Sequence, residues 1–192
     1  MMDTLWFYSD LGFWHVIDWQ GLDHFYFIVT LALPFTFKQG KKLLLWVTLF
    51  TIGHTLSLVG NFYAEIQFSS YLIELLIPIT IGLSSIPLLL TKKHFFESEK
   101  SWFFPIMTVL FGIIHGLGFG RYFSMLIPED AASLSLFSFA IGVELAQIFI
   151  VLGVLFINVL VLQIFKMNRQ KWEFLIGAMV LSQVLVMIFE RI

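Results

Sequence analysis

SLSLFSFAIGVELAQIFIVLGVLFINVLVLQIF, residues 133–165, is a long apolar stretch in which Glu144 is the one charged side chain. It exceeds the ~20 residues that an apolar helix needs to cross a bilayer. In lipid the backbone must satisfy its own hydrogen bonds, which leaves a helix or a closed barrel as the spanning structure. The stretch therefore predicts a transmembrane helix that is either tilted or extends past the membrane.

The rest of the chain has the same character. Hydrophobic residues make up 59% of the sequence and charged residues 12%, whereas a typical soluble domain has about 25% charged residues. The sequence predicts an all-α, polytopic membrane helix bundle that forms a single transmembrane domain over residues 1–192. The predicted spans, about six, lie at residues 22–37, 43–61, 69–91, 102–120, 133–165 and 171–192.

The positive charges predict the orientation of these spans. Nine of the eleven Lys and Arg residues fall in three alternate loops, and Arg121 and Arg191 fall on the other side. By the positive-inside rule these loops are cytoplasmic and both termini face outward. Before the first span, residues 11–20 predict a short interfacial or re-entrant helix. The nine residues are Lys38, Lys41, Lys42, Lys92, Lys93, Lys100, Lys166, Arg169 and Lys171.

Ionisable residues inside the predicted spans are few. Each costs at least ~2.5 kcal/mol at the centre of a bilayer, so such residues need partners and often indicate function. A rise of ~1.5 Å per residue places those of four spans in the outer half of the membrane. The chain has no cysteine, so a metal must be held by imidazole, carboxylate or backbone oxygen. The candidate ligands are His15, Asp18, Asp23, His24, His54, Glu74, His115 and Glu144.

Other residues near these candidates suggest supporting roles. Polar side chains that share a side with the ligands are expected to orient them. Gly112, Gly116 and Gly120 recur every four residues, a pattern typical of close helix packing. No convincing internal repeat is evident in the sequence. The expected supporting polar residues are Thr51, Thr55, Ser138 and Gln147.

Three functions are compatible with this pattern. The first is a permease for a divalent transition metal such as nickel or zinc, with one or two ions bound. The second is an intramembrane metal-dependent hydrolase acting on lipid, in which zinc would activate a water molecule. The third is a polar network that only fixes helix packing. The inner halves of the spans show no ionisable residue, which is a difficulty for the permease.

Five segments resemble the HupE/UreJ family of bacterial membrane proteins, in the same order and over nearly the whole chain. The resemblance implies a nickel or cobalt permease in the bacterial cytoplasmic (inner) membrane. Its expected partners are the lipid bilayer and the metal ion; nucleic acid is not expected, and a homo-oligomer is left open. Seven residues separate His15 from Asp23 where better-studied members have five, which indicates a variant branch. The segments are HVIDWQGLDHF (15–25), FTIGHTLSL (50–58), IELLIP (73–78), FGIIHGLGF (111–119) and FAIGVELAQ (139–147).

Overall fold

The computed structural model describes residues 2–19, 21–64, 68–90 and 103–191, and these ranges contain helices and no strand. Five of the helices, those that follow residue 39, are long and apolar enough to cross a membrane. The predicted all-α polytopic bundle is therefore confirmed. The helices are α1 (Met2–Ile17), α2 (Asp23–Ala32), α3 (Gly40–Ala64), α4 (Ser70–Leu89), α5 (Phe103–Leu126), α6 (Ala132–Val159) and α7 (Arg169–Phe189).

The prediction of an independent span at residues 22–37 is wrong. Helix α2 has 10 residues and ends just before Pro34, so it is ~15 Å long. That length covers about half of a ~30 Å hydrocarbon core. The preceding helix is longer than the predicted 11–20 segment, because α1 has 16 residues and begins at Met2.

Helices α1 and α2 together reach from one side of the bundle to the other, as a discontinuous helix. At the outer side, which is the side opposite the Lys-rich loops, the Tyr8 hydroxyl donates a 2.9 Å hydrogen bond to the Leu126 carbonyl at the end of α5. At the inner side, the Leu33 carbonyl after α2 accepts a 3.0 Å hydrogen bond from Asn158 near the end of α6. The helix is broken after Ile17, where Asp18 and Trp19 are exposed.

The other five predicted spans match α3 to α7 to within a few residues at most of their ends. The largest difference is at the outer end of α5, which extends to Leu126. Helix α6 continues through a π-helical turn, Leu160–Ile164, and the chain then reverses at Lys166, where φ is 51°. The predicted loop with Lys92, Lys93 and Lys100 lies outside the described residues.

The inner loops are tied together by polar contacts. The Arg169 guanidinium donates to the Pro34 carbonyl and pairs with Glu173 at 2.7 Å. Asn158 also accepts a 2.9 Å hydrogen bond from the Trp172 indole. These contacts attach the end of α2 to α6 and α7 on the Lys-rich side.

The backbones of α3 and α5 cross in direct contact. A Cβ atom added to Gly53 would collide with the Val109 carbonyl, and one added to Gly112 would collide with the Phe50 carbonyl. Only glycine allows this approach. The two helices run in the same direction, because Phe50 meets Gly112 and the later residue Asn61 meets Gly120.

Helices α1 and α6 cross in the same way. A Cβ on Gly12 would collide with the Phe139 carbonyl, and one on Gly142 would collide with the Ser9 carbonyl. Ser9 also donates a 3.0 Å hydrogen bond to the Ser138 carbonyl, so these helices too run in one direction. That direction is inward, opposite to α3 and α5.

The two crossings share short sequence matches that the sequence analysis did not recognise. LGFWH at residues 11–15 has its glycine and histidine at the same spacing as FGIIH at 111–115, and FTIG at 50–53 matches FAIG at 139–142 at three of four positions. Helix α1 therefore corresponds in pattern to α5, and α3 corresponds to α6. Each helix runs opposite to its counterpart.

Candidate metal centre

Four imidazole rings from four helices meet where the two crossings face each other. Ring centroids of His24 lie 4.8 Å from His15, 5.5 Å from His54 and 5.2 Å from His115. Relative exposure is 1% for His24 and His54 and 2% for His115. These four side chains, which we call the histidine cluster, were all among the predicted ligands.

Each ring of the histidine cluster has a free coordinating atom. Within the described part of the chain, the Nε2 atoms of His15, His24, His54 and His115 are buried and have no hydrogen-bond partner. An unsatisfied buried polar atom costs ~1–3 kcal/mol, so native proteins rarely tolerate one without a reason. Four such atoms in one place indicate a site for a ligand that accepts nitrogen lone pairs.

Hydrogen bonds at the opposite ring nitrogens fix which atom is free. The Nδ1 atom of His24 lies 3.1 Å from Oδ1 of Asp23, and Nδ1 of His115 lies 2.8 Å from the Phe111 carbonyl. A proton on Nδ1 satisfies both oxygen acceptors and leaves the Nε2 lone pair for a metal. The His24 amide also donates a 2.9 Å hydrogen bond to Oδ1 of Asp23. Asp23 therefore orients the His24 ring.

The spacing of the ring nitrogens fits a transition metal. Ligand atoms of His15, His24 and His54 all lie within 4.8 Å of one another. Tetrahedral coordination with bonds of ~2.1 Å requires a spacing of ~3.4 Å, which a movement of about 1 Å per ring would reach. Imidazole ligands suit zinc, nickel, copper and iron better than magnesium or calcium.

Phenylalanine rings surround the histidine cluster. Phe119 packs 4.0 Å from the His15 ring, and Phe139 stacks on His54 at 6.1 Å and 22°. Phe50 lies 5.2 Å from His115. This apolar lining excludes water, which strengthens the interaction of a bound cation with its ligands. The sequence analysis did not predict this lining, although the three phenylalanines stand in three of the five segments that carry the family resemblance.

Replacing Asp23 with asparagine is expected to weaken metal binding ~10–100-fold, the usual cost of losing a partner of a ligating histidine. The amide is neutral, and it holds the His24 ring less firmly than the carboxylate. Isothermal titration calorimetry with nickel measures the affinity of each variant. Asp10, which is exposed on α1, gives the matched control Asp10→Asn, which should bind as the wild type does. Equal affinities for the two variants would contradict an orienting role for Asp23.

The structure does not bring Asp18 or Glu74 to the histidine cluster. Asp18 is exposed in the turn after α1, where its carbonyl accepts a hydrogen bond from Gly21. Glu74 is exposed near the outer end of α4 and lines a separate pocket of about 70 Å³ with Asn61 and Arg121. Counting residues along a span gave the depth of these carboxylates but not the direction in which they point.

Glu144 also lies apart from the histidine cluster. Its carboxylate accepts hydrogen bonds from the Thr48 and Thr51 hydroxyls, and Thr51 in turn contacts Oε1 of Gln147 at 3.3 Å. Thr51 and Gln147 were predicted to support the ligands; Thr51 instead contacts Glu144, and Gln147 contacts Thr51. Thr48 was not predicted as a partner, although its position three residues before Thr51 places it on the same helix side.

The remaining predicted residues serve packing contacts. Ser138 donates to the Leu134 carbonyl within α6 at 2.6 Å, and Thr55 is half-buried beside His54. Gly116 faces His54 and Ser57, and Gly120 faces Asn61, so all three glycines of the stripe lie against α3.

The comparisons with known proteins give a family. A family model described as HupE / UreJ protein matches residues 1–191. Neither the curated proteins nor the solved structures compared with the chain gave a match. The matched residues include every helix and all four rings of the histidine cluster. This multi-pass membrane protein therefore belongs to the HupE / UreJ family.

Proposed function

We propose that this protein is a permease for a divalent transition metal, nickel or cobalt in type, in the bacterial cytoplasmic membrane. The observation that supports this most directly is the set of four buried Nε2 atoms without hydrogen-bond partners. Neutral imidazoles bind such ions through nitrogen, and the phenylalanine lining favours capture of an ion that has lost water. The cation is the cargo, and the histidine cluster is its binding site.

The discontinuous helix gives the cation a route to the site. His15 closes the last turn of α1 and His24 opens α2, so both rings flank the interruption. Chain ends at such interruptions shift with fewer broken hydrogen bonds than the middle of a continuous helix. We propose that the ion enters from the outer side beside α1 and that movement at the interruption opens the site.

The alternative, a metal-dependent hydrolase, needs a carboxylate free to act as a general base near the metal. Among the described residues, Asp23 is the one carboxylate beside the histidine cluster, and it is hydrogen-bonded to His24. Glu74 and Glu144 make their contacts elsewhere. This distribution supports transport over hydrolysis.

Uptake into proteoliposomes tests the proposal. Vesicles that contain the purified protein and an internal metal-sensitive dye should accumulate nickel or cobalt faster than empty vesicles. Extracted lipid from the same vesicles is analysed in parallel. Absence of uptake, together with metal-dependent breakdown of lipid, would contradict the permease and favour the hydrolase.

A further inference from the structure

A second polar site lies on the inner side of the histidine cluster, between α3 and α6. Thr51 is three residues inward of His54 on α3, and Glu144 is five residues inward of Phe139, the residue that stacks on His54. At ~1.5 Å per residue these positions lie ~5–8 Å further toward the cytoplasm. Thr48 and Gln147 extend the site by about another helical turn. We call Thr48, Thr51, Glu144 and Gln147 the inner oxygen site.

The oxygens of the inner oxygen site are close together. Oγ1 of Thr48 lies 2.7 Å from Oε1 of Glu144, and the Thr51 hydroxyl contacts the second carboxylate oxygen. Oγ1 of Thr51 is 3.3 Å from Oε1 of Gln147. Carboxylate, hydroxyl and amide oxygens are ligands for divalent cations, and they bind nickel or cobalt less tightly than imidazole does.

The threonine hydroxyls have other acceptors within reach. The Leu44 carbonyl lies 3.0 Å from Oγ1 of Thr48, and the Val47 carbonyl lies 3.3 Å from Oγ1 of Thr51. When a cation approaches Glu144, each hydroxyl can turn its hydrogen to its own helix backbone. The hydroxyl lone pairs and both carboxylate oxygens then face the ion. The site can therefore accept a cation without leaving a hydroxyl hydrogen unpaired.

Gln147 provides a second, independent indication of a ligand. Its relative exposure is 0%, and its Nε2 atom has no hydrogen-bond partner among the described residues. A 180° rotation of the Gln147 side-chain amide exchanges the positions of its oxygen and nitrogen. Nε2 then donates to Thr51, and Oε1 becomes free. A bound cation would use this freed oxygen and would remove the cost of an unsatisfied buried group.

Building on the permease function, we propose that the inner oxygen site is a second cation site, which receives the ion from the histidine cluster and releases it toward the cytoplasm. Relative exposure is 1% at His54 and 7% at Thr51, Thr48 and Glu144 are half-buried, and Gln147 is fully buried. A weaker, oxygen-based site next to a tight nitrogen site allows the ion to leave. It also supplies oxygen ligands on the inner side of the histidine cluster.

The transport test uses Glu144→Gln, with Glu129→Gln as the matched control because Glu129 is exposed in the loop before α6. Purified Glu144→Gln should bind nickel at the histidine cluster as the wild type does, but its uptake into proteoliposomes should fall at least ~10-fold, because the amide lacks the charge that attracts the ion. Thr51→Val, which keeps the side-chain shape, should also slow uptake while leaving nickel binding intact.

A direct binding test uses Mn²⁺, which prefers oxygen ligands. The His54→Ala variant should retain a weak Mn²⁺ site, detected by electron paramagnetic resonance, and the His54→Ala/Glu144→Gln double variant should lose it. Wild-type uptake by Glu144→Gln, or Mn²⁺ binding that survives in the double variant, would overturn the inner oxygen site and leave the permease intact. A wild-type protein that binds no nickel would instead overturn the permease itself.

Discussion

His54→Ala is expected to reduce nickel binding more than ~100-fold and to abolish uptake. His54 belongs to the group whose ligand atoms lie within 4.8 Å of one another, and its ring is buried with Nε2 free. Alanine removes that ligand and leaves a cavity that the surrounding phenylalanines are too rigid to fill. Loss of an orienting partner alone costs up to ~100-fold, so loss of the ligand should cost more. Elemental analysis of protein purified from nickel-supplemented cells gives the bound metal directly.

The control for this prediction is His94→Ala. His94 is the one histidine of the sequence that is not in the histidine cluster, and it stands in the segment TKKHFFESEK, outside the described residues. That variant also loses one imidazole, and it should keep its full metal content. Equal metal content in His54→Ala and in the wild type would contradict the assignment of the histidine cluster as the metal site.

Gly112→Ala is expected to destabilise the bundle by about 1–3 kcal/mol or more, the usual cost of overpacking. The added methyl group would collide with the Phe50 carbonyl and would also crowd the backbone nitrogen of His54. Backbone atoms in two crossed helices cannot rotate away as a side chain can. The helices must therefore separate, which would also displace His54 and His115. Thermal unfolding in detergent, followed by circular dichroism, measures the loss.

Gly153→Ala is the matched control, because a Cβ at Gly153 meets no atom within 4 Å. Alanine is favoured over glycine inside a helix by roughly 0.5–1 kcal/mol, so this variant should unfold at the same or a higher temperature. The Gly112→Ala variant should thus unfold at a lower temperature than the Gly153→Ala variant. A Gly112→Ala protein as stable as Gly153→Ala would contradict the direct crossing of α3 and α5.

Most of the fold could be predicted because lipid imposes a single strong constraint. Long apolar stretches must be helices, and α3 to α7 all satisfy that condition. The discontinuous helix could not be predicted in this way, since α1 has 16 residues and includes Asp3 and Asp10. Its inward course depends on tertiary contacts, such as Gly12 against the Phe139 carbonyl, which hydropathy does not report.

The candidate site was predicted only in part, because residue counting gives the depth of a side chain but not its direction. By depth alone, the four histidines were correctly placed together. Consecutive side chains also differ by ~100° in direction around the helix axis. A small error in the assumed rotation of a helix therefore makes a side chain face a different neighbouring helix. Glu74 and Glu144 therefore seemed to belong with the histidines, whereas one lines an outer pocket and the other contacts Thr48 and Thr51.

The matched crossings of α1 with α6 and of α3 with α5 have an energetic consequence. Backbone atoms touch at both crossings, so neither pair of helices can slide or rotate without a collision between main-chain atoms. Each pair is therefore expected to move as one rigid body. A displacement of one pair against the other should cost less free energy than a displacement within a pair.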